Sequence, residues 1–97
     1  MTIGVLRVKI SIPENHSLKG KRQVIKPIII KVNNKFNVSV AEIEDQELWQ
    51  IATIGVACVS NTSRHANQIL TEVMKYIDSL MGDANVLDYE IEITQAF

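Results

Sequence analysis

The chain has 97 residues, 46% of them hydrophobic and 22% charged, enough for one modest core and outside the range of both disordered segments and two-domain proteins. A formal net charge of −1 excludes a globally basic protein swept onto nucleic acid, and a single cysteine, Cys58, excludes an internal disulfide. No apolar run approaches the roughly 20 residues of a membrane span, and the start, MTIGVLRVKI, lacks a basic flank followed by a signal-type apolar block, so a cytoplasmic protein with no membrane partner is expected.

Residues 3–12 (IGVLRVKISI) alternate, with Leu6, Val8, Ile10 and Ile12 against Arg7, Lys9 and Ser11, as a half-buried strand does. After Pro13, Ser17 is placed to N-cap a helix whose Leu18, Val24, Ile25, Ile28, Ile29, Val32 and Phe36 share one arc. Pro27 falls opposite that arc, on the solvent side where a lost hydrogen bond is best tolerated, which predicts a bent helix rather than a broken one. Residues 37–44 (NVSVAEIE) are rich in β-branched side chains and read as a second strand. Residues 50–60 (QIATIGVACVS) read as a third, apolar on both faces as a central strand is, with Cys58 a small buried apolar residue within it. Asn61, Thr62 or Ser63 can cap a second helix with Ile69, Leu70, Val73, Ile77 and Leu80 inward, and Gly82 is placed to end it. The last strand, residues 85–94 (NVLDYEIEIT), sets Leu87, Tyr89, Ile91 and Ile93 against Asp88, Glu90 and Glu92. The order βαββαβ predicts one α+β domain over residues 1–97, a ferredoxin-like sandwich with a four-stranded antiparallel sheet in the order 4-1-3-2 and two helices on one face.

Charge is segregated along this frame. Six of the ten cations lie between Lys19 and Lys35 with no acid among them, while four acids crowd into Glu42–Glu47 and four more fall between Asp83 and Glu92. The open sheet face lacks the aromatics that stack bases in an RNA-recognition motif, and Glu90 and Glu92 beside Arg7 and Lys9 would neutralise it. Ile3, Val5 and much of the third strand suit that face to a homodimer contact instead. Taking the first and third strands as parallel neighbours brings both helix N-termini to one edge. That edge would gather His16, Ser17, Lys19, Lys21 and Arg22 from one loop and Asn61, Thr62, Ser63, Arg64 and His65 from the other, with Lys26 extending it, and would attract an anion such as a phosphate. The plainer alternative is ordinary caps and solvated cations.

His16 and His65 have no orienting acid or nucleophile at a telling spacing, and one cysteine with two histidines is a poor zinc set. The acids of EIEDQE read as a solvated turn. No enzyme activity, cofactor or metal is therefore expected. Trp49, between the second and third strands, reads as core, with an anchor for a partner as the alternative.

The stretches HSLKGKRQVIK (residues 16–26) and FNVSVAEIEDQELWQIATIGVACVSN (residues 36–61) resemble the YlxP-like family (DUF503) of small bacterial proteins of unknown function, and the resemblance runs over essentially the whole chain. It implies a ferredoxin-like fold and, because members are often encoded beside a translation initiation factor and a ribosome-binding factor, a ribosome-related role. Gly20 stands where the family usually carries an acid, so a capping box with Ser17 is lost and a looser first turn is expected; Pro27 is also unusual for the family. Two readings follow: a non-enzymatic module for RNA or the ribosome, with no DNA expected, or a homodimeric interaction or regulatory domain that also takes a small anionic ligand.

Overall fold

The computed structural model describes residues 1–97. The elements follow as β1 (Thr2–Ser11), α1 (Leu18–Lys35), β2 (Ser39–Glu44), β3 (Ile51–Ser60), α2 (Ser63–Ser79) and β4 (Asn85–Gln95). The strands form one antiparallel sheet in the order β2-β3-β1-β4, the predicted arrangement read from its other edge. Both helices cover the same face, α2 over β1, β3 and β4 and α1 toward β2. Between the layers lies a core that includes Leu6, Val8, Ile10, Ile25, Val32, Ile54, Val56, Leu70, Val73 and Ile77. Gly4 lets α2 come close, because a Cβ there would stand 2.8 Å from Leu70 Cδ1.

The caps form where side-chain oxygens were placed to make them. Ser17 Oγ accepts from the Gly20 amide at 2.9 Å and Thr62 Oγ1 from the His65 amide at 3.1 Å, each satisfying a first-turn donor that has no intrahelical partner. The α1 helix runs unbroken through Pro27, whose ring faces solvent. Past the end of α2, Gly82 takes the left-handed φ of +57° that glycine adopts at least cost.

Two features of the sheet differ from the alternation. A bulge between Lys9 and Ile10 pairs Lys9 with Asp88 but Ile10 with Val86, leaving Leu87 as the extra residue. Val86 therefore packs against the core while Leu87 is exposed, since one added residue reverses which side chains face inward. Tyr89 keeps the phase of Ile91, opposite buried Val8, and is exposed because β4 is the edge of the sheet. The second difference is one of direction. β1 and β3 are antiparallel, with Thr2 opposite Ser60 and Ser11 opposite Ile51, not parallel neighbours. The end of β1 that feeds α1 thus lies at the opposite end of the sheet from the end of β3 that feeds α2.

Candidate functional site

That antiparallel pairing divides the expected anion edge in two. His16, Ser17, Lys19, Lys21, Arg22 and Lys26 belong to one end of the sandwich, Arg64 and His65 to the other. At the second end exposed His65 lies beside the turn into α2, its Nδ1 3.0 Å from Ser60 Oγ, and Arg64 stands exposed without a carboxylate partner.

At the first end Lys21 leaves the surface altogether. It is only 2% exposed, and its ammonium donates to the carbonyls of Asp45 at 2.7 Å and Ile51 at 3.0 Å while lying 3.0 Å from Glu42 Oε2. The carboxylate oxygen has no hydrogen bond of its own, so its attraction to Lys21 is counted as an ion pair. A lysine of this loop and first turn is thus spent inside the protein, stapling the β2–β3 loop to α1, and is unavailable to an outside anion.

The remaining cations of α1 have no carboxylate partner. Of the ten in the chain, Arg7 pairs with Glu90 and Glu44, Lys9 with Asp45 at 3.8 Å, and Lys21 with Glu42. Contact with Glu90 and Glu44 also raises the Arg7 pKa above its usual value, chiefly through the Glu90 hydrogen bond. Lys19, Arg22, Lys26, Lys31 and Lys35 are exposed and have no carboxylate partner, and α1 carries no acid at all. Lys35 stands 4.4 Å from the centroid of the Tyr76 ring of α2, a cation–π contact. Helical spacing puts Lys19, Arg22 and Lys26 (i, i+3, i+7) on the flank away from that ring, so they form a stripe on the side of α1 that faces away from α2.

Trp49 is the residue that reasoning from the sequence misplaced. It is not core: 52% of its surface is exposed, with Leu48 beside it similarly open. Its loop is nevertheless held. Asn15 Nδ2 donates to the carbonyls of Trp49 and of Ser17, Gln50 Nε2 donates to Asn15 O at 3.2 Å, and the Ile12 amide donates to Gln50 O at 2.8 Å. Gly20 belongs to this clamp, because a Cβ there would lie 2.1 Å from Asn15 Oδ1. The missing side chain admits Asn15, so the expected loosening of the first turn gives way to a specific contact. The clamp ties the β2–β3 loop to the start of α1, and with it brings Trp49 to the end that carries His16 and the head of the stripe. The sequence signal was the NHS run before α1 with glycine three residues after Ser17.

The open face of the sheet offers a different surface. Arg7 pairs there with Glu90, as the charge pattern predicts, and also with Glu44 of β2, while Lys9 pairs with Asp45 and Glu92 with no cation. Beside them lies an apolar trough of about 540 Å³ lined by Val5, Ala41, Ile43, Gly55 and Ala57, with Ile43 folded over Gly55. Ile3 is half-buried, while Val5 and, farther along, Val59 and Met1 are exposed. Cys58 faces the helices, buried, and burial raises its thiol pKa above the ordinary value. No helix is long and apolar enough to cross a membrane.

A family model described as a protein of unknown function, DUF503, matches residues 3–91. The uncharacterized protein YlxP of Bacillus subtilis (strain 168) is 42% identical over 77 residues, covering 79% of this chain and 84% of that protein. Among solved structures, a de novo designed protein with a ferredoxin fold superposes with a TM-score of 0.58 at 15% identity over 97% of this chain and 84% of the design. The de novo designed protein Foldit4 does so with a TM-score of 0.53 at 12% identity over 99% and 98%. These two likenesses concern the fold alone.

Proposed function

The chain belongs to the DUF503 family of proteins of unknown function, and from that premise we propose that it is a non-enzymatic RNA- or ribosome-associated module that grips the anionic backbone along the outer flank of α1. One observation carries the reading: α1 has no acid, five of its six cations are exposed without a carboxylate partner, three of them in one stripe, and the sixth is consumed inside. A solvated helix of an ordinary protein mixes signs along its face, and unpaired cations in one stripe are what a phosphate backbone neutralises. The non-enzymatic part rests on the separation of the two histidines to opposite ends of the sheet. A role on RNA carries a cytoplasmic location with it. The test is binding of a ribosomal RNA fragment across a salt series. Three phosphate contacts by Lys19, Arg22 and Lys26 predict a slope of log affinity against log salt near −2, abolished by replacing all three with alanine. A flat salt response, together with no co-sedimentation with ribosomal particles, overturns the proposal.

A second reading is favoured by the trough on the open sheet: a homodimer that buries Val5, Ala41, Ile43 and Ala57 against a second copy. A monomer in sedimentation velocity at tens of micromolar overturns it. A dimer that Val5→Lys dissociates supports it and leaves the α1 stripe free in both copies.

A further inference from the structure

We infer that Trp49 is a stacking platform for an unpaired base of single-stranded RNA, placed at the head of the Lys19, Arg22 and Lys26 stripe that would hold the same strand's phosphates. This rests on the reading of α1 as an RNA-binding face and adds to it the form of the RNA and the group that recognises it. Trp49 is the chain's one tryptophan, and an exposed indole at a loop edge loses hydrophobic stabilisation that burial would have given. Yet its loop is fixed from four directions: by Asn15 on the Trp49 carbonyl, by Gln50 on Asn15, by the Ile12 amide on Gln50, and by the buried ammonium of Lys21 on Asp45 and Ile51. The backbone around the ring is ordered without the ring being buried. Such a platform loses little freedom when a flat ligand lies on it, the condition under which an aromatic contributes most to binding.

The surroundings specify what lies there. Glu47, Leu48, Gln50 and Ile51 line a shallow cleft with Trp49. Glu47 keeps a phosphate out of the cleft, while its carboxylate can accept from a base amino group, as carboxylates do from cytosine N4. The cations lie to one side, on α1, where phosphates can follow. Base stacking on an aromatic beside a basic track is the general chemistry of single-strand recognition. A duplex cannot use it, because its bases are already stacked on one another.

The experiment uses the full chain and octacytidylate RNA, with heparin as a polyanion that has no bases. Because emission at the tryptophan wavelengths comes from Trp49 alone, stacking is read directly. Octacytidylate is expected to quench that emission at the affinity measured independently by anisotropy of a labelled strand, whereas heparin binds without quenching. Trp49→Ala should weaken RNA binding about tenfold or more without changing the salt slope, while Trp49→Phe should bind within a few-fold of the parent. An exposed ring tolerates both changes, and an unchanged far-UV circular dichroism spectrum verifies it. Salt-dependent RNA binding with unaltered emission and a Trp49→Ala affinity within twofold of the parent overturns the inference and leaves the α1 reading standing, as does equal affinity for duplex RNA. Failure to bind either RNA or heparin removes both.

Discussion

Lys21→Met isolates the buried ammonium, since methionine keeps most of the apolar stem and deletes the charged head. The loss can be worked from the three partners. Two carbonyls, of Asp45 and Ile51, lose a charged donor at 2.7 and 3.0 Å, and a hydrogen bond to a charged group contributes about 1.5–3 kcal/mol when its partner stays buried. Glu42 loses its counter-ion at 3.0 Å, but its side chain is 21% exposed, so water recovers part of that charge and the ionic share falls to about 1 kcal/mol. A total of about 3 kcal/mol results once the loop relaxes to let water reach the carbonyls, which for a domain of this size lowers Tm by roughly 12–20 °C. Urea unfolding followed by far-UV circular dichroism measures it; Trp49 fluorescence is a poor reporter because the ring is already exposed. Glu42→Gln added to Lys21→Met should return about 1 kcal/mol by removing the unpaired charge. A Lys21→Met variant within about 0.5 kcal/mol of the parent, a loss typical of an ordinary surface site, refutes the staple. So does a Glu42→Gln change that costs the same in both backgrounds.

Pro27→Ala should stabilise by about 1–2 kcal/mol, since the exposed ring packs against nothing in the core and alanine restores a donor to the Gln23 carbonyl, offset in part by a more flexible unfolded chain; a thermal melt with Tm unchanged or lowered contradicts this. Gly20→Ala, usually worth about 0.5–1 kcal/mol in a helix, should bring no gain, because the new Cβ meets Asn15 Oδ1. In an Asn15→Ala background the usual gain should return, and a double-mutant cycle in urea reads the difference. Cys58, 4% exposed, should resist a thiol-reactive chromogen until the chain unfolds. Because its folded pKa is raised by burial, its contribution to stability is intact below the ordinary thiol range and is lost as the pH rises past it, since the unfolded chain releases the proton first. Stability that increases with pH through that window, in the parent but not in Cys58→Ala, would contradict the sign.

The fold was legible because its signals are local and repeated. Alternation in β1, the apolar run of β3, the arc of α1 and the Ser17 and Thr62 caps each constrain only a few neighbours, and they agree with one another. What escaped is set by pairing between distant segments. Nothing within NVLDYEIEIT marks Leu87 as the bulged residue; that depends on where Lys9 and Ile10 meet the strand. The separation of the two helix N-termini is different, because it is already contained in the element order. β2 returns parallel to β1 after α1, the β2–β3 hairpin reverses the chain, and β3 must therefore run against β1. A cation count along the chain cannot register this. The edge that Arg64 and His65 were expected to share with Lys19 dissolves on topology alone.

Lys21 and Trp49 exchange their expected places for one physical reason. The loop from Asp45 to Gln50 turns back over the first turn of α1, and the carbonyls of Asp45 and Ile51 point into the gap between them. Buried carbonyls need donors, and an indole at Trp49 could offer only one, fixed in the ring plane. An ammonium on a four-carbon stem offers three, and it neutralises Glu42 as well. The gap therefore takes the lysine, and the large side chain of the loop is left outside. Hydropathy ranks the two residues the other way because it values each side chain in isolation, whereas the choice is made by the polar backbone around the gap. The outcome removes one cation from the surface and adds one aromatic to it, at the same end of the same helix. A basic first turn becomes a basic stripe with a flat ring at its head, and that pairing, rather than the number of cations, is what gives the surface a chemistry that can distinguish an unpaired base from a bare phosphate.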